Sequence, residues 1–329
     1  MGRGPWGVSA CLRAGREAIT ARWAEIASPL VFTLAHLSDW HATTLRGARV
    51  GELATKRFWG WQSWKRGRRR RHRPEVLAAL CDDVRAQDPD HVIVTGDLTN
   101  VALHQEFEQA AATLRALGDP SWVTVVPGNH DAYVAVAPER GLDQWAAYLL
   151  PDDAQGRRSP GRGDYPVVRI RDSVAIVGLC SAEPTPLFMA SGSLGTEQLA
   201  RLEGVLAELG QRGLARVVAL HHPPTDDGIG WRRQLRDWRA LQAVLHRTGA
   251  ELVVHGHRHR SWLGTLKPSA GSIPVAGVRS ASDVGDREDR RAQYHLYRIE
   301  RGRPVGVQVR GYDPATGGVQ PEGDLVLGG

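Results

Sequence analysis

The sequence predicts an α/β fold with parallel strands, on three observations. Apolar runs of strand length alternate with helix-like stretches, giving a β-α-β-α-β rhythm through the first 130 residues, the pattern of parallel strands joined by crossover helices. Residues 165–180, YPVVRIRDSVAIVGLC, read as two strands around an Arg-Asp-Ser turn, which adds an antiparallel pair. Several of the apolar runs end in a cluster of Asp, Asn or His, where the ligand crevice of an open α/β sheet lies.

Taken in order, residues 1–29 read as an N-terminal extension, 30–312 as the main domain and 313–329 as a flexible tail rich in Gly and Pro. The segment SPLVFTLAHLSD opens the core as a buried strand ending at Ser38-Asp39. After an insertion at 56–73, a helix at 74–87 has Pro74 in its first turn, and HVIVTGD follows as a second strand. A helix at 103–117 leads to the strand in WVTVVPGN. Beyond the antiparallel pair come a helix at 195–210, strand ARVVAL, a helix at 232–247 and strand ELVVHGH. Residues 260–310 read as short strands, with SDVGDREDRR as a loop.

Composition excludes some classes. A hydrophobic fraction of 42% and a charged fraction of 24% exclude disorder throughout. The net charge of +6 is almost all arginine, since Lys56, Lys65 and Lys267 are the only lysines. Cys11, Cys81 and Cys180 form neither a C-x-x-C pair nor an even framework, which favours a reducing compartment. The first 32 residues lack a continuous apolar run, and no stretch of about 18 apolar residues occurs. A cytoplasmic protein is expected.

The chemistry lies in five clusters at strand ends: Asp39-Trp40-His41, Gly96-Asp97, Gly128-Asn129-His130-Asp131, His221-His222-Pro223 and His255-Gly256-His257-Arg258-His259. Each alone has an ordinary reading as a cap, a turn or a strand terminator. Together they place oxygen and nitrogen ligands at five independent strand ends, which chance does not do. Carboxylates, imidazoles and an amide without thiolate suit Mn, Fe, Zn, Co or Ni. The ligands outnumber the needs of one ion, so two divalent metals are expected.

D-x-H, G-D, G-N-H-D, H-x-P and G-H-x-H in this order resemble the calcineurin-like metallophosphoesterase superfamily, over about residues 33–262. The resemblance implies a four-layer α/β/β/α sandwich with two mixed β-sheets, and a dinuclear centre that hydrolyses a phosphorylated substrate. It implies that Asp39, His41 and His259 hold one metal, that Asn129, His221 and His257 hold the other, and that Asp97 bridges them. His222 is then a residue that backs the ligands or faces the substrate, and His255 does not coordinate. Two such cations lower the pKa of a shared water, so that hydroxide attacks phosphorus in line. His130 is placed to stabilise the phosphoryl oxygens or protonate the leaving group, with Asp131 fixing its tautomer. The turn at Pro127-Gly128 lets a buried strand hold Asn129 and His130 rigidly.

The insertion KRFWGWQSWKRGRRRRHRPE adds a second feature. Seven Lys or Arg fall within residues 65–73, immediately after Trp59, Trp61 and Trp64. Trp with Arg68, Arg69, Arg70 and Arg71 suits an anionic membrane or a lipid-linked substrate, where each basic residue contributes about 1 kcal/mol. The same composition suits nucleic acid less strongly. It also suits a loop whose tryptophans complete the core, or a lid whose arginines grip a phosphate. The expected activity is hydrolysis of a phosphoester or pyrophosphate bond, on a lipid-linked or nucleotide-sugar substrate by analogy with bacterial members. The alternatives are a nuclease or cyclic-nucleotide phosphodiesterase using the same centre, and a metal-binding docking scaffold without catalysis.

Overall fold

Two six-stranded sheets carry the chain in the computed structural model, which describes residues 31–154, 158–226, 228–267, 271–285, 287–300 and 302–327. The expected extension at 1–29 lies outside the described residues. In spatial order the first sheet is β12 (Gly318–Leu325), β11 (Arg303–Asp313), β10 (Gln293–Glu300), β1 (Val31–Leu37), β2 (His91–Val94) and β3 (Val123–Val125). The second is β4 (Val167–Arg171), β5 (Val174–Gly178), β6 (Ala215–Ala219), β7 (Leu252–His255), β9 (Ile273–Gly277) and β8 (Trp262–Leu266). Both are mixed: β1, β2 and β3 pair in parallel, as do β5, β6, β7 and β9, while β10/β11, β11/β12, β4/β5 and β8/β9 are antiparallel.

Alternation along each strand builds the layers. Leu34 and Ile93 join Ile176, Val217 and Val254 in the core between the sheets. Their neighbours Ala35, Val92 and Val94 turn outward to helices α2 (Pro74–Gln87) and α3 (His104–Leu117). On the other side Val218 and Val253 meet α4 (Thr196–Gln211) and α5 (Trp238–Thr248). Each such Val, Leu or Ile side chain, fully buried, contributes about 1.5 to 3 kcal/mol. The result is the expected α/β/β/α sandwich. Because both faces of β1 and β2 are covered, their sequences are nearly continuous apolar runs.

Two expectations are corrected. The stretch read as a basic loop is helical: Lys56–Ser63 (α1) runs into a π-helical turn over Trp64–Arg68 and a last turn over Arg69–Arg71. The end expected to be frayed carries β12, paired with β11 from Val307↔Leu325 to Asp313↔Gly318. It is an exposed edge strand, so it lacks the alternating apolar signature, and Pro321 is accommodated beside a register shift at Val309/Arg310. No described helix is long and apolar enough to cross a membrane.

Candidate metal centre

β1, β2, β3, β6 and β7 are each followed within four residues by one or two of the seven expected ligands. The backbone there is unusual. Asp39 (φ 53°), His41 (φ 44°), Asp97 (φ 57°), His257 (φ 71°) and His259 (φ 51°) all lie in the left-handed region, which costs a non-glycine residue on the order of 1 to 2 kcal/mol. Ladder-like bonds between the loops hold it: the Asp39 amide donates to Gly96 O (2.9 Å) and the His41 amide to Asp97 O (3.1 Å). Gly96 has φ 83°, and a Cβ at Gly128 would fall on the Asp97 amide and carboxylate. The two glycines let the β2 and β3 exits touch.

One group of ligand atoms gathers around Asp39. Its Oδ1 lies 3.3 Å from His259 Nε2 and 4.0 Å from His41 Nε2, and His41 Nε2 lies 3.5 Å from Asp97 Oδ2. The second group lies on the other side of Asp97, whose Oδ2 is 3.3 Å from His221 Nε2. There Asn129 Oδ1 is 3.0 Å from His221 Nε2 and 2.9 Å from His257 Nδ1, and the two imidazole nitrogens are 3.2 Å apart. Asp97 thus stands between the groups.

Protons explain only part of this crowding, the contacts of His221. A carbonyl only accepts, so a ring nitrogen facing one carries its hydrogen and the other keeps a lone pair. His41 Nδ1 faces Thr99 O (2.9 Å), His221 Nδ1 faces Thr95 O (2.7 Å) and His257 Nε2 faces Arg233 O (2.9 Å). In their neutral forms these rings therefore turn the lone pairs of their remaining nitrogens toward the carboxylates and the Asn129 oxygen. Among buried polar atoms, Asp39 Oδ1 and His41 Nε2 have no hydrogen-bond partner. Burial pulls His41 well below its ordinary range and, with His221 nearby, pulls His257 down to about 3. At His221 burial is outweighed by the Asp97 carboxylate, which holds that imidazole up at about 9, so positive charge is favoured at the place a cation would supply it. Burial alone would raise the Asp39 carboxyl, but His259 beside it holds it below the carboxylate range. Converging lone pairs, fixed tautomers and ionised carboxylates fit divalent cations.

A family model for calcineurin-like phosphoesterases matches residues 32–261. The chain belongs to this family. Membership implies divalent metal ions. A curated relative from Synechococcus sp., named a probable cyclic nucleotide phosphodiesterase, is 28% identical over 193 residues, covering 56% of this chain and 64% of that one. A glycerophosphodiester phosphodiesterase from Enterobacter lignolyticus is 29% identical over 136 residues, 41% of this chain and 42% of that one. The chain thus spans less than two thirds of the length of these curated relatives. Its fold is similar to a dimetal phosphatase from Danio rerio (TM-score 0.57, 14% identity, 86% of this chain and 96% of that one). It is also similar to a purple acid phosphatase from yellow lupin seeds (TM-score 0.56, 12% identity, 90% of this chain and 53% of that one).

In this member of the family the residues around the two groups depart from expectation at Asp131 and in the insertion. Asp131 does not touch His130: its carboxylate accepts the amides of Gly128, Asp97, Leu98 and Thr99 at 2.9 to 3.0 Å. Of its two expected places His222 takes the one behind the ligands: its Nδ1 pairs with Ser181 Oγ (2.8 Å), its Nε2 lies 3.2 Å from Ala190 O, and its ring packs on His257. The three tryptophans separate: Trp64 is buried with Leu45, Leu53, Val101 and Leu103, Trp61 is half-buried under Lys65, and Trp59 is exposed beside Phe188. His255 is buried away from both groups, with Nδ1 3.0 Å from Gly256 O. Sequence reasoning missed His72. Its ring, buried at the end of the insertion, lies 5.1 Å from that of His41 and 5.5 Å from that of His259. Its place inside a run of arginines gave no signal.

Proposed function

We propose that this phosphoesterase is a dinuclear metal-dependent hydrolase of phosphoesters, with phosphodiesters its foremost substrate class. The observation that carries this reading is the convergence of lone pairs on both sides of Asp97. Asp39, His41 and His259 would hold one cation, Asn129, His221 and His257 the other, with Asp97 shared. When bound, such a pair supplies charge for phosphoryl oxygens and a nucleophilic water at neutral pH. The chain's own residues orient these groups: Thr95, Thr99 and Arg233 carbonyls fix three imidazoles, and Asp97 Oδ1 also accepts the His130 amide at 2.7 Å. The names of the two curated relatives support a diester over a monoester or a pyrophosphate. The complete ligand set weighs against a docking scaffold without catalysis.

The test is turnover of bis(p-nitrophenyl) phosphate by manganese-loaded protein. Asp97→Asn should lower it by about a thousandfold, the range set by loss of metal-ion catalysis, with an unchanged circular dichroism spectrum. Unchanged turnover would refute the proposal.

A second reading concerns where the substrate resides. Phe58, Trp59 and Phe188, 42%, 50% and 71% exposed, form a connected rim with ring centroids 5.7 and 6.1 Å apart. Arg66, Arg69 and Arg70 on the same helical insertion are exposed too. Aromatic and basic side chains together support an anionic membrane surface or a lipid-linked substrate as partner. Flotation with phosphatidylglycerol vesicles that survives Asp97→Asn and is lost in Trp59→Ala/Phe188→Ala would support it. Steeply salt-dependent binding to single-stranded DNA would favour nucleic acid instead.

A further inference from the structure

The basic insertion sends one guanidinium inward and keeps its neighbours outside. Arg69 and Arg70 are exposed, and Arg71 pairs with Asp283 at 2.8 Å. Arg68 instead reaches His130, with Nη2 3.1 Å from Nε2 and Nη1 3.2 Å from Nδ1. It closes the π-helical turn that starts at buried Trp64. Such wide turns recur at functional sites because the inserted residue re-aims side chains out of helical register.

His130 cannot satisfy this guanidinium. Asn100 O lies 2.5 Å from His130 Nδ1, and a carbonyl only accepts, so Nδ1 carries the proton. That leaves a single lone pair, on Nε2, for a group with five N–H donors. Among the described residues the Arg68 side chain has no other hydrogen-bond acceptor and no carboxylate within ion-pair distance. Burial works against its charge, and Asp97 is the main charge favouring it. A partly buried guanidinium with one neutral acceptor is underpaired unless an anion completes it. His130 also lies against the candidate metal groups: its ring centroid is 4.7 Å from that of His41, and its amide donates to Asp97. The spare donors of Arg68 therefore border the place a phosphoryl group would enter, and two parallel N–H bonds match its oxygens.

We propose that Arg68 binds a non-bridging phosphoryl oxygen of the substrate, held ready by His130 when the site is empty of substrate. This rests on the phosphoesterase reading above. It also makes the insertion a part of the active site, supplied by one arginine of the five between residues 66 and 71.

The experiment is calorimetric titration of manganese-loaded full-length protein with inorganic phosphate, alongside Arg68→Met and Arg68→Lys. Arg68→Met should weaken phosphate binding at least tenfold with bound manganese unchanged. Arg68→Lys, which keeps charge but not the paired donors, should fall between. Phosphate affinity of Arg68→Met within twofold of wild type would overturn the proposal, as would loss of manganese together with phosphate, or no phosphate binding by the wild type. Phosphate binding that depends on Arg68 in a protein that turns over no ester would count against the hydrolase reading and leave Arg68 in its assigned role.

Discussion

The carboxylate of Asp131 accepts the backbone amide of Asp97 at 2.9 Å. Sequence adjacency suggests that Asp131 tunes His130, but it holds the backbone of the aspartate between the two ligand groups. The same carboxylate takes the amides of Gly128, Leu98 and Thr99, and the Thr99 hydroxyl at 3.1 Å. One buried carboxyl group thereby ties the exit of β2 to that of β3; burial and the neighbouring Asp97 push it up to about 7, while the amides it accepts pull it down.

Asp131→Asn should therefore act on architecture. The amide puts a donor where amide N–H groups already point, and it removes the charge from several bonds. A loss of about 3 kcal/mol is expected for an unsatisfied buried cluster of this kind, with less manganese bound than in wild type. His130→Asn, at the next position, should cost no more than about 1 kcal/mol, the scale of one neutral hydrogen bond. Urea unfolding of both proteins decides it; equal losses would mean that Asp131 has no special structural role.

Gly128→Ala tests the contact between the two exits directly. The added Cβ falls on the Asp97 amide and carboxylate, both rigid. Overpacking of this kind costs about 1 to 3 kcal/mol, and here it displaces the shared ligand. Elemental analysis should show manganese well below the wild-type content in protein that remains folded. Full manganese content would show that the loops can part without harm to the site.

Much of this site is legible in the sequence because strand burial and ligand placement are coupled. β1, β2, β6 and β7 are covered on both faces, so they announce themselves as apolar runs, and the polar residues that end them stand out. What is not legible is direction. Nothing in the run Arg66 to Arg71 says that a π turn re-aims Arg68 inward while Arg71 goes to Asp283. Nor does adjacency reveal that Asp131 points beneath the loop and away from His130. β12 escapes for a different reason: a backbone ladder to β11 holds it, and its side chains are mostly exposed.

Two histidines outside the site predict acid sensitivity. His91 bonds Thr124 Oγ1 at 2.8 Å, and His295 bonds Ser261 Oγ at 3.1 Å and Tyr297 OH at 3.0 Å, all in the core. Burial, with Arg171 in the first case and Arg279 in the second, pulls them down to about 2 and about 3. The folded state keeps them neutral while the unfolded chain protonates below about pH 6.5. Stability is therefore full above that pH and falls as pH drops toward 3, by about 1.4 kcal/mol per unit for each histidine. His91→Gln should flatten the fall in unfolding free energy between pH 6 and 4. A slope identical to wild type would remove His91 from the account.

The insertion's tryptophans separate packing from surface. Trp64 is 6% exposed among Leu45, Leu53, Val101 and Leu103, whereas Trp59 is 50% exposed. Trp64→Ala opens a cavity and should cost about 3 to 5 kcal/mol. Trp59→Ala should stay within about 0.5 kcal/mol, as exposed positions do. The two also differ in reach. Trp64 begins the π turn that ends at Arg68, so its loss should loosen Arg68 and weaken phosphate binding, while Trp59→Ala should leave phosphate affinity unchanged. Unfolding and phosphate titration of the same two variants check both statements. If Trp64→Ala kept wild-type phosphate affinity while losing stability, the packing of the π turn would not be what aims Arg68.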